Sequence, residues 1–93
     1  MRQVDWNGHF LTIEMVVKGQ TIVCRVPRNT IDCLPRYRDF IDREIGIHKI
    51  EIALRLQKAI FGKIDSARSP LFELLAEDLE HESRSRNSAQ DDK

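Results

Sequence analysis

"HFLTIEMVVKGQTIVCRVP", residues His9 to Pro27, holds two strand-forming runs on either side of Lys18-Gly19. Glycine accepts the positive φ that a two-residue hairpin turn demands. The register follows on paper. If Val17 faces Gln20, then Met15 faces Ile22, Ile13 faces Cys24 and Leu11 faces Val26. Side chains alternate along a strand, so these last three pairs share one apolar face. The other face is mixed: Thr12 against Arg25, Glu14 against Val23, Val16 against Thr21. Glu14 can reach Arg25 on the diagonal. A lone hairpin is marginally stable. Its apolar face therefore calls for a third strand, helices or a second chain, and the region of Val4 and Trp6 offers a short extra strand.

Downstream, "VCRVPRNTIDCLPRYR" (Val23 to Arg38) carries both cysteines, two of the three prolines and four arginines against one acid. Pro27 ends the second strand. Asn29 or Thr30 can cap a short helical turn, which Pro35 limits because the residue before a proline avoids helical dihedrals. Pro35 itself suits the first position of a following helix. From Arg36 to Gly62 the pattern is helical. Tyr37, Ile41, Ile45, His48, Ile52, Leu56 and Ala59 form one stripe. Phe40, Ile47, Ile50, Leu54 and Phe61 form a second, nearly opposite one. Either Gly46 divides this segment into two helices with different buried faces, or one long helix is covered on both sides. A glycine costs a helix interior only about 1 kcal/mol against alanine, so it forces no break. "KIDSARS" reads as a loop. Ser69 and Pro70 then open a last helix, "PLFELLAEDLEHE", with Leu71, Leu74, Leu75 and Leu79 on one side. The expected fold is a single α+β domain over residues 1–82. An N-terminal antiparallel β-hairpin or meander packs against two or three C-terminal helices. Residues 83–93, apolar only at Ala89, are expected to form a disordered polar tail.

The bulk numbers narrow the function classes. A chain of 93 residues with formal net charge zero makes one domain and argues against a dedicated nucleic-acid binder. The charge is uneven: residues 1–68 hold twelve Lys/Arg and eight Asp/Glu, residues 69–93 three and seven. No run of some 18 apolar residues suggests a membrane span, and "MRQVDWNGHF" lacks the apolar core of a signal peptide. A cytoplasmic location with reduced thiols is the expectation.

Chemistry-bearing residues are sparse. Cys24 and Cys33 are too far apart, and without a second pair, to match zinc-ligand spacing. Both are expected to be buried thiols. His9, His48 and His81 form no motif, and no nucleophile with a placed base can be assembled. Glu73, Glu77 and Glu80 share a helical face, which reads as a solvated surface rather than a metal site. Neither a metal, a cofactor nor catalysis is expected. The basic residues Lys18, Arg25, Arg28, Arg36, Arg38 and Arg43 gather around the hairpin, the turn and the first long helix. Arginine forks suit phosphate, yet Asp39, Asp42 and Glu44 interleave with them, so intramolecular ion pairs account for the same residues.

The order "VKGQTIVCRVPRNTID" followed by "FELLAEDL" resembles domain-of-unknown-function family 1488, a group of small proteobacterial proteins. The resemblance rests on the glycine-turned hairpin, on a cysteine in its second strand (here Cys24), and on the late stretch with Phe72, Glu73, Leu74 and Asp78. It spans about Val4 to Leu79. It implies a compact α+β domain and transfers no catalytic residue.

Two functions are in contention. One is a non-catalytic, self-associating interaction module with a homo-oligomer or protein partner, its interface drawn from Phe10, Val16, Val23, Ile47, Ile50 and Leu54. The other is nucleic-acid or phosphate-ligand binding through Arg25, Arg28, Arg36, Arg38 and Arg43.

Overall fold

In the computed structural model, which describes residues 2–67 and 69–79, strand β2 (Phe10–Val17) and strand β3 (Gln20–Pro27) pair in the register derived above, from Phe10 opposite Pro27 to Val17 opposite Gln20. Lys18 and Gly19 both have positive φ, 53° and 79°, the backbone of a turn whose twist matches the flanking strands. Strand β1 (Gln3–Trp6) adds to β2 antiparallel. Asn7 makes that second turn: its Oδ1 accepts from the N–H groups of His9 and Phe10 at 2.8 Å, while Gly8 takes φ 94°.

The chain then crosses the apolar face through helix α1 (Arg28–Ile31), helix α2 (Asp42–Ile47) and helix α3 (Lys49–Ile64). It returns as strand β4 (Leu71–Glu73), parallel to β3, giving a sheet of order β1-β2-β3-β4. The fold class is therefore α+β, with helices on one face of a mostly antiparallel sheet. Leu11, Ile13, Cys24 and Val26 from the sheet meet Ile45, Ile52, Leu56 and Ile60 from the helices, all essentially without exposure. Gly46 lies against Trp6, which carries the end of β1 under α2.

Four expectations are corrected. Residues 71–73 are a strand, not the start of a helix; among the described residues of this segment, 76–79 are helical. Hydrogen bonds from Val23 N–H to Pro70 O (2.7 Å) and from Leu74 N–H to Arg25 O (2.8 Å) draw this segment onto the free edge of β3. An open strand edge presents a row of unpaired backbone groups, and that outweighs the helical spacing of the leucines. Glu73 consequently leaves the helical face it was to share with Glu77. Second, residues 32–39 form turns, so Pro35 begins no helix and α2 starts at Asp42. Third, α1 has no side-chain cap. The Thr30 hydroxyl instead donates to Leu74 O at 2.9 Å, fully buried, tying α1 to the residue after β4. Fourth, Glu14 pairs with Arg2 (3.5 Å) rather than with Arg25. The tail expected from Ser83 lies outside the described residues.

The long segment does divide, at His48 (φ −100°, ψ 15°), two residues after Gly46. Both helices nevertheless bury the same side. Backbone bonds His48 N–H to Glu44 O and Ile52 N–H to His48 O, each 2.9 Å, run through the bend.

Candidate interaction site

The five arginines do not converge on one surface. Arg28 is a latch. Its guanidinium pairs with Asp32 at 2.9 Å and Asp42 at 3.5 Å, and it donates to the carbonyl oxygens of Arg38 and Phe40. One planar fork thereby fixes the turn that a helix was expected to fill. Arg38 Nε donates to Asp32 O at 3.2 Å. Arg36 pairs with Glu51 at 3.1 Å and lies over the Tyr37 ring. Arg25 stands on the outer sheet face over the Phe10 ring, 5.7 Å from its centroid. Arg43 is exposed on α2, and Lys18 stays at the hairpin tip. Neither makes an ion pair among the described residues.

Around Glu51 the groups are closer together. The Tyr37 hydroxyl donates to Glu51 Oε2 at 2.5 Å, and His48 Nδ1 lies 3.7 Å from Oε1. The Tyr37 bond and then the neighbouring cations hold the Glu51 carboxyl below its usual range; burial and the same bond raise the Tyr37 hydroxyl. Phe40 packs edge-on to Tyr37 and tilted against His48, so the cluster anchors the turn to α3.

The cysteines differ. Cys24 is fully buried on the core face, and burial pushes its thiol up to about 12. Such a thiol carries almost no thiolate at neutral pH and is inert. Cys33 is exposed, against expectation: it lies in the turn after α1, while Ile31 takes the core position. No group of three His, Cys, Asp or Glu side chains suited to a metal occurs among the described residues. No described helix is long and apolar enough to cross a membrane.

The expected interface residues fall on two opposite surfaces. Phe10, Val16 and Val23 lie on the outer face of the sheet. Only Val16 is well exposed there, among Thr12, Glu14, Thr21 and Arg25. Such a mixed face is ordinary for a sheet wet on one side. Ile47, Ile50 and Leu54 lie on the helical layer, pointing away from the core, and Phe61 continues the row. Their exposures are 68%, 58%, 55% and 44%. Single exposed apolar side chains need no explanation. Four of them, Ile47 at the end of α2 and three along α3, on helices whose other side packs on the core, form a patch of the kind that marks contact surfaces. Phe40 and Ile41 changed places relative to the two predicted stripes: Phe40 packs against the core and Ile41 is 62% exposed. The helical phase carried back to Arg36 does not hold in a turn.

Sequence reasoning passed over Lys63 and gave Asp78 no partner. Lys63 Nζ donates to Asp78 Oδ2 and to Glu73 O, both at 2.7 Å, and Asp78 caps the Leu75 N–H. This clasp joins the end of α3 to the segment after β4. No sequence signal announces it, since the partners belong to different elements. Compared with family models, with curated proteins and with solved structures, the chain has no significant match.

Proposed function

We propose that this chain is a non-catalytic interaction module that associates with a second copy of itself through the outward side of α2 and α3. The observation that carries the reading is the exposed row Ile47, Ile50, Leu54 and Phe61, opposite the buried row of the same helices. Removing such surface from water is favourable by roughly 25 cal/mol per Å². A domain of this size has little core to spare and gains from sharing a face. Residues 80–93 contain no apolar side chain besides Ala89, so their composition does not suit them to cover it. The resemblance to domain-of-unknown-function family 1488, carried by the hairpin and Cys24, transfers no catalytic residue. A reducing, cytoplasmic setting suits two unpaired cysteines.

Sedimentation velocity of the full chain from about 1 to several hundred µM tests this. A concentration-dependent dimer that Leu54→Asp abolishes, without loss of fold by circular dichroism, is the expected result. A strict monomer throughout would sink it. The arginine alternative has weaker support, because Arg28, Arg36 and Arg38 already hold intramolecular partners. Fluorescence anisotropy with short labelled DNA and RNA at two salt concentrations is expected to show no steeply salt-dependent binding.

A further inference from the structure

Along α3 the exposed Ile50, Leu54 and Phe61 and the half-buried Gln57 form one row, separated by four, three and four residues. That alternation is the seam of a two-helix coiled-coil contact. Resting on the self-association reading above, we infer that two copies pair their α3 helices antiparallel across a two-fold axis lying between Leu54 and Gln57.

Three features favour this arrangement. First, the spacing is self-complementary when one helix is reversed. Ile50 then layers on the partner's Phe61, and Leu54 on the partner's Gln57, and the two-fold repeats both layers. Second, the flanking charges match. Glu51 and Lys58 occupy equivalent positions beside the seam, and such positions face each other in an antiparallel pair, so each Glu51 meets the partner's Lys58. Tyr37 and Arg36 hold Glu51 Oε2, while Oε1 has no hydrogen bond among the described residues and lies 3.7 Å from His48 Nδ1. Lys58 is exposed and makes no ion pair among them. In a parallel pair the positions facing Glu51 and Lys58 are Gly46 and Ala53, which carry no charge. Third, Gln57 interrupts the apolar row near its middle. A polar residue at one seam position fixes register and orientation at some cost in stability. A lipid surface would gain nothing from it, whereas across the axis two Gln57 amides lie close enough to bond each other. The seam is only a few turns long, so the contact belongs to the small, weak class of interfaces.

Orientation is read by disulfide trapping, association by sedimentation. In a Cys33→Ser background, Ile50→Cys and Phe61→Cys are made separately and oxidised gently, alone and mixed. In an antiparallel pair, position 50 lies roughly 16 Å along the axis from its own copy, beyond the ~7 Å Cα limit of a disulfide. The expected result is a dimer in which only the mixture cross-links efficiently. Lys58→Glu, which changes no seam residue, is expected to raise the dimer Kd about 3- to 10-fold, as for loss of exposed ion pairs. A dimer that cross-links 50 to 50 and ignores Lys58→Glu is parallel and overturns the geometry while leaving self-association standing. A chain that stays monomeric, or that instead floats with phosphatidylserine–phosphatidylcholine vesicles, overturns both.

Discussion

Ile52 and Leu54 are two residues apart on one helix and occupy different media. Ile52 has no exposure and is enclosed between the helices and the sheet; Leu54 is 55% exposed. The same contrast separates Leu56 and Ile60 from Ile50 and Phe61. Residue type alone does not assign these roles. The sheet does, because the hairpin's apolar face covers one side of α3 and leaves the other side exposed. One helix thus carries a row that builds the core and a row left exposed.

The widest separation is expected from truncating one residue of each row. Leu56→Ala should lower the unfolding free energy by about 2–5 kcal/mol at every protein concentration, since it leaves a cavity in a closed core. Leu54→Ala should stay within about 0.5 kcal/mol in dilute solution, with its effect confined to the dimer. Urea titrations at two concentrations measure both. An equal cost for the two in dilute solution would mean that the outward row is already covered in the monomer.

The arginines allow the same contrast on a smaller scale. Arg28→Ala should cost about 1.5–3 kcal/mol, because charged hydrogen bonds to backbone carbonyls at 38 and 40 are lost. Arg25→Ala, which removes only an exposed ring contact, should fall within about 0.5 kcal/mol. Thermal unfolding of the pair decides it. Thr30→Val, shape-conserving but without the hydroxyl, strands the buried Leu74 carbonyl and should cost about 1–3 kcal/mol. Amide exchange at Leu74 should quicken in that variant. In the native protein a thiol reagent should modify Cys33 rapidly and Cys24 only on unfolding.

The smallest effect is electrostatic. Glu51 is held below its ordinary range by the Tyr37 hydroxyl first and nearby cations next. A depressed carboxylate contributes stability that is present above its unfolded pKa and lost as pH falls through the folded one. Tyr37→Phe should therefore differ from wild type at neutral pH and converge with it in acid. Parallel curves down to pH 2 would exclude this coupling.

Legibility in the sequence followed locality. The hairpin was readable because its period of two, its glycine and its pairing are all contained in residues 10–27. The outward row was readable because α3 keeps a steady helical phase. Strand β4 was not: Ser69, Pro70 and the leucines that follow speak for a helix, and three residues of strand carry too little pattern to oppose them. What places β4 there is the far edge of β3. The turn over residues 32–39 was hidden for a similar reason, since one Arg28 side chain satisfies carbonyls ten and twelve residues away.

The parallel placement of β4 also sets an order of events. β2 and β3 meet across a two-residue turn, whereas β3 meets β4 only after residues 28–70 have been threaded over the sheet. Closing so long a loop is entropically slower than closing a hairpin. On the ribosome the meander can therefore form while the outer edge of β3 still stands open. During that interval Val23 and Arg25 offer their backbone groups to any extended chain nearby, and arrival of Leu71–Glu73 ends the exposure.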